Sequence, residues 1–489
     1  MPMKKSQENE KSQAVLGRYL LRFTLENVRT FRSPVTLDFC HADGSVAQWT
    51  VILGENGMGK TTLLQYLAGM LPVQDEELMK IRRIADSKGK PHGFRPLMGS
   101  QEWIGFHLHN LPQPWSKPMK LKATLDVSVA TASLKAAIRS KKPQPFGLEF
   151  ITNESPEGKA TIGITSKMAV DLDYYEQFRM FGYGAGRHVA GPASPYLTSD
   201  TFFSNGGSSP IGTLFNDDYP LISPEQWLLS LDHKVARSEK GKSAQAANRA
   251  YASAKRCLKG SLPGISEVTV GPYGFSNAET KLTLLCKTPF APKLVPFSSL
   301  SVGYRTMAAW VTDFVKRMHD AFPDLPEPDN GPAIVLIDEF DLHMHPRWQR
   351  EAMQALSKEF PNTQFIVTAH SPIVVQAAEG FAKIIVLRRQ AYGDGTEEIV
   401  IDDGPRHAEN WSLGQIVEGY YGISSRSPHY EELMRQRVHL RKKEKRTSAE
   451  NQKLTEIETE LDRLEPEAEV KESQRLLDEL KEALQGASA

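Results

Sequence analysis

The sequence predicts an α/β fold that combines buried parallel strands with antiparallel ones. WTVILG (49–54) has the pattern of a strand and leads through a glycine-rich loop into the helical stretch TTLLQYLAGML. AIVLIDE (333–339) and FIVTAH (365–370) are short, continuous apolar runs, the pattern of parallel strands that are buried on both faces. Strand–loop–helix order and two further buried strands together favour a layered α/β domain.

Further strands are predicted in three places. LRFTLENVRTF (21–31) and PVTLDF (34–39) have the pattern of two short strands. Between about 121 and 170, the pattern predicts antiparallel strands in LKATLDVSVA, LEFITN and KATIGITS, and SEVTVGPYGF forms a hairpin with KLTLLCKT (281–288). SPEQWLLSLDHKVA and YRTMAAWVTDFVKR are typical of helices, and Ser223 precedes the first of them as a helix start.

Composition excludes several classes of protein. Lysine plus arginine number 59 and aspartate plus glutamate number 59, so any contact with nucleic acid must come from a local patch. Cys40, Cys257 and Cys286 are too scattered for a CxxC metal site and too few for a disulfide framework, which indicates a reducing compartment. The polar first residues lack the apolar core of a signal peptide, and no run approaches the roughly 20 apolar residues of a membrane span. We therefore expect a soluble cytoplasmic protein with no membrane partner.

The glycine-rich loop has the pattern of a phosphate-binding loop (P-loop). The residues predicted to bind nucleotide are Gly54, Glu55, Asn56, Gly57, Met58, Gly59, Lys60, Thr61 and Thr62. Its glycines leave room for backbone N–H groups to wrap phosphates. Lys60 is expected to contact the β and γ phosphates and to contribute to catalysis, and Thr61 is expected to bind Mg²⁺ through its hydroxyl.

Two strand ends supply candidate catalytic residues. Asp338 and Glu339 follow a buried strand, where Asp338 is expected to hold Mg²⁺ through water and Glu339 to orient and polarise the attacking water. His370 ends another buried strand and is a candidate to contact the γ phosphate. A histidine there would, taken alone, more often be structural.

The motif LSVGY (300–304), called the signature motif below, precedes a helix, so Ser301 and Gly303 would present N–H groups to an anion; a simple serine-glycine cap is the alternative. The order GENGMGKT, LSVGY, IVLIDE, VTAH resembles the ABC-type ATPases over about residues 20–405. The resemblance implies an ABC-type head with a mixed central sheet, which binds ATP. It also implies that Ser301 and Gly303 complete the nucleotide site of a second copy, in a homodimer or higher oligomer formed through the heads.

The roles of several other polar residues near these motifs have more than one interpretation. The glutamine that often reaches toward Mg²⁺ in the ABC family is either Gln101 or Gln177. Arg187, which ends the tract FGYGAGR, either approaches phosphate or lies on the surface of a glycine-rich turn. Arg29 and Arg32 are weaker candidates.

DEFDLHMHPRWQR (338–350) resembles a stretch of the compact ABC ATPases related to the OLD proteins. His343 and His345 suggest a metal site, but no third ligand is apparent, and Pro346 suits the first turn of a helix. We expect instead a turn through which opposing heads sense one another. OLD proteins carry a Toprim nuclease after the ATPase, and IVIDDG offers no Asp-x-Asp pair, so we expect no intrinsic nuclease.

Four stretches of the chain resemble stand-alone ATPase subunits of bacterial anti-phage systems. They are FGYGAGR, LFNDDYPLISPEQWLLSLD, LSVGYRTM, and GISSRSPHYEELM with the charged helices after it. The nearest family is the PtuA subunits of Septu and Septu-containing retrons, and the AriA subunits of PARIS are similar in plan. This implies a regulatory scaffold for a separate effector nuclease, with an HNH type favoured and a Toprim type as the alternative. A role in RNA metabolism has no aromatic RNA motif in its support.

The alternative function is that of an SMC-like DNA-repair or DNA-end-binding ATPase. KIRR (80–83) and RKKEKR (441–446) would then contact DNA phosphates. The segment between Lys60 and Leu300 holds strands and short helices, which excludes the long coiled-coil arm of SMC proteins.

The predicted organisation has five parts. They are a polar N-terminal lead (1–18), the first part of the ATPase core with the P-loop and an antiparallel β subdomain (19–195), a helical insertion with a β-hairpin (196–299), the second part of the core (300–404) and a C-terminal helical region for partners or assembly (405–489). In the last part, a leucine stripe from Leu454 to Leu464 and another from Leu476 predict a helical hairpin or short coiled coil. Packing on its own domain and binding of a partner are both open.

Overall fold

The described part of the chain contains both strands and helices. The computed structural model describes residues 15–26, 28–69, 72–74, 94–96, 120–130, 146–154, 160–165, 179–187, 210–237, 241–274, 280–289, 291–393, 397–402, 410–443 and 445–464. The strands are β1 (Val15–Glu26), β2 (Val35–Asp38), β3 (Trp49–Leu53), β4 (Pro72–Gln74), β5 (Phe94–Pro96), β6 (Lys120–Ala130), β7 (Phe146–Glu154), β8 (Ala160–Thr165), β9 (Met180–Tyr183), β10 (Glu267–Tyr273), β11 (Lys281–Lys287), β12 (Val295–Pro296), β13 (Ala333–Ile337), β14 (Thr363–Thr368), β15 (Lys383–Ala391) and β16 (Glu397–Asp402). The helices are α1 (Lys60–Ala68), α2 (Pro224–Arg237), α3 (Lys242–Ser261), α4 (Val302–Ala321), α5 (Pro346–Glu359), α6 (Pro372–Ala378), α7 (Leu413–Tyr421), α8 (Pro428–Arg441) and α9 (Ser448–Leu464). Among these helices, none combines the length and hydrophobicity that a membrane span needs.

The central sheet is mixed and has the order β16-β15-β3-β14-β13-β9. β15 pairs with β16 in antiparallel fashion, and all other neighbours are parallel. β3, β13 and β14 are buried along their whole length, as their continuous apolar sequences predict. The predicted α/β fold with a mixed central sheet is therefore confirmed.

A second sheet, with the order β2-β1-β6-β7-β8, is antiparallel and confirms the predicted β subdomain. β1 begins at Val15, inside the predicted polar lead, because it pairs with β6 from that residue onward. The strand predicted to continue to Phe31 instead ends at Glu26. Val28 and Phe31 then pair across a tight turn.

The main core anchors the helix that follows the P-loop. Its buried side chains come from both large sheets and from α1, and include Phe23, Leu37, Leu63, Ile366 and Ile385. Full burial of such a side chain contributes about 1.5–3 kcal/mol. Because α1 belongs to this core, its N-terminus is held in a fixed position relative to the sheet.

The chain divides into two compact units, Met1–Ile416 and Val417–Ala489. In the second unit, α8 and α9 pack on each other through Leu433, Leu440 and the first leucine stripe, and α9 ends at Leu464. The helical hairpin thus forms between the first stripe and the helix before it. The stripe that starts at Leu476 lies outside the described residues.

Candidate nucleotide-binding site

The residues predicted to bind nucleotide follow adjacent strands of the central sheet. β3 leads into the P-loop, β13 into Asp338, and β14 into Ala369 and His370. β9 lies beside β13 and leads into Arg187. Because these strands are parallel, their carboxyl ends meet at one edge of the sheet, where open α/β sheets bind ligands.

The P-loop has the backbone conformation of an anion-binding nest. Gly57 and Gly59 have φ values of 80° and 84°, a left-handed conformation that glycine adopts at little cost. Gly59 is also the N-cap of α1 and makes no side-chain cap bond, so the first N–H groups of the helix are available to an anion. Met58 is buried beneath the loop, whereas Glu55 and Asn56 are exposed.

The side chain of Lys60 lies inside the loop rather than in solvent. Its Nζ donates hydrogen bonds to the carbonyl oxygens of Gly54 (2.8 Å) and Glu55 (2.9 Å). Desolvation lowers the pKa of Lys60, and the nearby carboxylates of Asp338 and Glu339 oppose this shift. The ammonium group, the predicted metal ligand Asp338 and the predicted catalytic residue Glu339 therefore share one electrostatic environment.

Thr61 and Asp338 are in direct contact. The Thr61 hydroxyl donates to Asp338 Oδ2 at 2.6 Å, and the Thr368 hydroxyl donates to Asp338 Oδ1 at 2.6 Å. A hydroxyl and a carboxylate are hard oxygen ligands of the kind that Mg²⁺ prefers, so this pair fits the predicted metal. Thr368 was not among the predicted residues, although its position at the end of β14 was a usable signal.

Glu339 is held in an unusual backbone conformation. Its φ is 47°, in the left-handed region that non-glycine residues seldom adopt. Its N–H donates to Thr368 Oγ1 at 2.7 Å, and its carbonyl oxygen accepts from Arg187 Nη2 at 2.9 Å. Such strain persists only where the surroundings fix it, and it concentrates at functional sites.

Arg187 is buried, so its interpretation as a surface residue is wrong. Its Nη1 donates to the Asp338 carbonyl oxygen at 2.6 Å, and its Nη2 donates to that of Glu339. Burial lowers the pKa of Arg187 to about 10, against the opposing effect of Asp338 and Glu339, so the guanidinium stays charged at neutral pH. The tract FGYGAGR is the edge strand β9 and its exit, and the close approach of Gly184 to the Thr213 backbone leaves no room for a side chain.

His370 is tied to the turn that follows Glu339. Its backbone N–H donates to both carboxylate oxygens of Asp341 at 3.2 Å. The next residue, Ser371, caps α6 and donates to Gln349 Oε1 at 2.6 Å. This connects the end of β14 to the start of α5, while the contact of His370 with a γ phosphate stays a prediction.

Ser301 and Gly303 lie at the start of α4, beside the acidic turn (residues 338–345). Ser301 is exposed and is the N-cap, yet its hydroxyl makes no cap hydrogen bond, which argues against a simple capping role. A Cβ at Gly303 would lie under 3.0 Å from the His343 carbonyl oxygen. The signature motif and the acidic turn of one chain thus form a single surface.

The predicted helix start at Pro346 is confirmed, and His345 is its cap. His345 Nδ1 accepts a hydrogen bond from the Arg347 N–H at 3.3 Å. His343 is exposed, with φ 63°. Within the described ranges, no group of three His, Cys, Asp or Glu side chains is arranged to hold a metal ion.

The weaker candidates are placed as follows. Arg29 has φ 46°, and its Nη1 donates to Thr62 Oγ1 at 3.3 Å, so it lies against the P-loop helix. Arg32 is exposed. Gln101, Gln177 and KIRR lie outside the described residues.

Two of the five basic residues in the run RKKEKR pair with carboxylates within the C-terminal hairpin. Arg441 pairs with Glu458, and Lys443 pairs with Glu450 at 2.7 Å. Arg446 donates to the Leu440 carbonyl oxygen at 3.1 Å. The run therefore offers less free positive charge than its sequence suggests.

Comparisons with known proteins show which proteins this chain is similar to. A family model described as "AAA domain, putative AbiEii toxin, Type IV TA system" matches residues 293–376, which include the signature motif, Asp338 and His370. Over 427 residues the chain is 23% identical to Septu protein PtuA of Bacillus mycoides (strain KBAB4), covering 85% of this chain and 46% of that protein. It is 49% identical over 77 residues to Retron Vc95 probable ATPase of Vibrio cholerae serotype O1 biovar El Tor, covering 16% of this chain and 15% of that protein.

The chain thus spans less than half the length of these relatives. Among solved structures, the SmcHead bound to the C-winged helix domain of ScpA aligns over 78% of this chain and 97% of that chain, with 15% identity and a TM-score of 0.40. The predicted resemblance to PtuA and to retron ATPases is confirmed.

Proposed function

We propose that the chain is an ABC-type ATPase head that binds and hydrolyses ATP at sites shared between two copies. We further propose that it acts as a regulatory scaffold for a separate effector nuclease in anti-phage defence. The observation that carries the ATPase proposal is the 2.6 Å hydrogen bond between Thr61 of the P-loop and Asp338, with Glu339 next in the chain. A phosphate-binding loop and an acidic strand end in contact are the two halves of an ATPase site.

The roles follow from the positions of the groups. The nest of N–H groups and Lys60 bind the phosphates, while Thr61 and Asp338 hold Mg²⁺. When bound, the metal ion would neutralise charge on the phosphates. Glu339 orients and polarises the attacking water, and its fixed backbone keeps the carboxylate in one place.

Sharing of the site between copies is supported by the exposure of the signature motif. Ser301 and the neighbouring Val302 side chain, 53% exposed, stand at the free start of α4. The helix N-terminus and the Ser301 hydroxyl are therefore available to an anion brought by another copy. In a twofold dimer each copy would give its signature motif to the P-loop of the other.

Mixing two inactive variants tests this arrangement. Lys60→Ala removes the phosphate-binding side chain of one copy, and Ser301→Arg blocks the signature motif of the other. In an equal mixture, half of the dimers are mixed, and each retains one intact composite site, so we expect about a quarter of the wild-type ATP turnover. Each variant alone should be inactive, and a mixture that stays inactive while mixed dimers are detected would refute the shared site.

The scaffold role is supported by the similarity to PtuA and to a retron ATPase. We propose that the partner is an HNH-type nuclease, with a Toprim-type effector as the alternative. The purified chain should hydrolyse ATP slowly and cut neither DNA nor RNA, and affinity purification from the native host should recover the nuclease. Nuclease activity of the pure chain that survives Glu339→Gln would end this part of the proposal.

The DNA-end-binding alternative makes a different prediction. It requires duplex DNA to stimulate ATP turnover in a manner that falls steeply with salt. The internal pairing of Arg441 and Lys443 weakens its structural basis. A measurement of turnover with and without duplex DNA at low salt decides between the two.

A further inference from the structure

We propose that Arg187 is a positioning residue that holds the main chain of Asp338 and Glu339, and so sets where their carboxylates point. This inference rests on the proposed ATPase function and extends it to a residue outside the motifs. Arg187 is 4% exposed, and both of its terminal nitrogens donate to carbonyl oxygens, of Asp338 and of Glu339. It therefore acts on the reaction through two other residues.

The two carbonyl groups need an outside donor because the chain leaves the sheet at this point. The Asp338 N–H still continues the β9 ladder, donating to the Tyr183 carbonyl oxygen at 2.8 Å. The positive φ of Glu339 then turns the backbone away from its neighbours. Buried carbonyl groups that lose their ladder partner cost free energy unless another donor replaces it. Arg187 supplies that donor to both residues at once.

An arginine suits this task better than a lysine. The planar guanidinium offers two parallel N–H donors in a rigid fork, which matches two carbonyl oxygens on successive residues. A lysine ammonium is a single point on a flexible stem. The buried positive charge also faces the carboxylates of Asp338, Glu339 and Asp341, which stabilise it in place.

The strand that leads into Arg187 is held in place by buried contacts. β9 is held to helix α4 by a buried network, in which the Tyr183 hydroxyl donates to Asp313 Oδ2 at 2.9 Å and Arg317 Nε donates to the same oxygen at 2.5 Å. Gly184 packs against the Thr213 backbone on the other side. A group that positions others must itself be fixed, and these contacts provide that.

The test compares Arg187→Met, Arg187→Lys and the control Arg249→Met. Arg249 also donates from its guanidinium to a backbone carbonyl oxygen, that of Pro323 at 3.2 Å, but at an exposed position on α3. We expect Arg187→Met to lower kcat about 100-fold, because a shift of about 1 Å in a reacting group has that effect. Binding of ATP without Mg²⁺ should change less than about threefold, since the P-loop is intact, and Arg249→Met should match the wild type.

A double-mutant cycle separates positioning from a general structural defect. If Arg187 acts through Glu339, Arg187→Met should lower kcat in a Glu339→Gln background by at most about tenfold, far less than in the wild type. A full 100-fold loss in that background would overturn the proposal. If Arg187→Met does not fold, Arg187→Lys carries the same test, and a wild-type kcat in Arg187→Lys would also overturn it.

Failure of the ATPase proposal is recognisable in the same experiment. If the wild type does not hydrolyse ATP, or if Lys60→Ala and Glu339→Gln both retain its rate, the proposed function is wrong. If those two variants lose turnover while both Arg187 variants keep it, only the role of Arg187 is wrong.

Discussion

Gly303 is predicted to be required within its own chain, before any second copy is bound. A Cβ at this position would lie under 3.0 Å from the His343 carbonyl oxygen and 3.3 Å from the carbonyl carbon. Since the obstacle is backbone, no side-chain rotation relieves it. Gly303→Ala must therefore push the start of α4 away from the acidic turn by about 1 Å.

The magnitude follows from two opposing effects. Overpacking of this kind costs about 1–3 kcal/mol. Alanine regains up to about 1 kcal/mol over glycine in a helix, and less in the first turn. We expect a net loss of about 1–2 kcal/mol in the free energy of unfolding, which for a chain of this size lowers Tm by about 1–2 °C.

The assay is thermal unfolding without nucleotide, beside two controls. Gly393→Ala adds the same methyl group where, its chain neighbours aside, no atom of the described residues lies within 4 Å, and Ser301→Ala removes an exposed hydroxyl that makes no cap bond. Both should melt within about 0.5 °C of the wild type, because surface changes of this kind fall within about 0.5 kcal/mol. If Gly303→Ala melts with these controls, the contact with His343 does not constrain the chain, and the reasoning fails.

Three further predictions concern other parts of the chain. Thr368→Val removes a donor to the Asp338 carboxylate, so the free energy of unfolding in urea should fall by about 2 kcal/mol; an unchanged midpoint would contradict this. Leu461→Ala should lower the hydrogen-exchange protection of α8 and α9 by about 2 kcal/mol or more, because Leu461 is buried in the core of the hairpin. Leu464→Ala, at a position 42% exposed, should leave this protection unchanged. Equal effects of the two substitutions would show that the hairpin core is misassigned. Burial raises the pKa of Cys40 from 9.0 to about 11, so its thiolate fraction at pH 8 is about 100-fold smaller than for a free thiol. The rate of Cys40 alkylation by iodoacetamide should therefore rise about tenfold per pH unit up to about pH 10. A rate that reaches a plateau at pH 9 would exclude the raised pKa.

The central sheet and the ends of its strands were predictable because their signals are local. A short continuous apolar run bounded by polar residues favours a buried strand, and AIVLIDE and FIVTAH contain runs of five and three apolar residues. Parallel pairing then brings Asp338 to the edge where the P-loop ends. Motif order alone implied that Thr61 and Asp338 serve the same Mg²⁺ ion, although 277 positions separate the two residues, but the direct hydrogen bond between them was not predicted.

Arg187 and Thr368 were harder to predict because their partners are brought to them by the fold and are not indicated by the local sequence. Arg187 binds carbonyl groups, which every residue possesses, so no residue type in the sequence indicates its partner. Thr368 is one of several hydroxyl residues at strand ends, and its role depends on the adjacent register of β13 and β14. The strand β9 is only four residues long, and the tract FGYGAGR that overlaps it contains three glycines, which favours a turn when it is read locally.

The contact between Gly303 and His343 bears on how two copies would communicate. The acidic turn includes Glu339, which would act on the nucleotide of its own chain. The same turn contacts the signature motif, which would act on the nucleotide of the partner. The backbones of Gly303 and His343 are already in close contact. A change in the backbone of Glu339 must therefore either displace the start of α4 or be resisted by it. On this basis Arg187, which holds the carbonyl group of Glu339, constrains the chain's own catalytic carboxylate and, through the same turn, the surface that it would offer to a second copy.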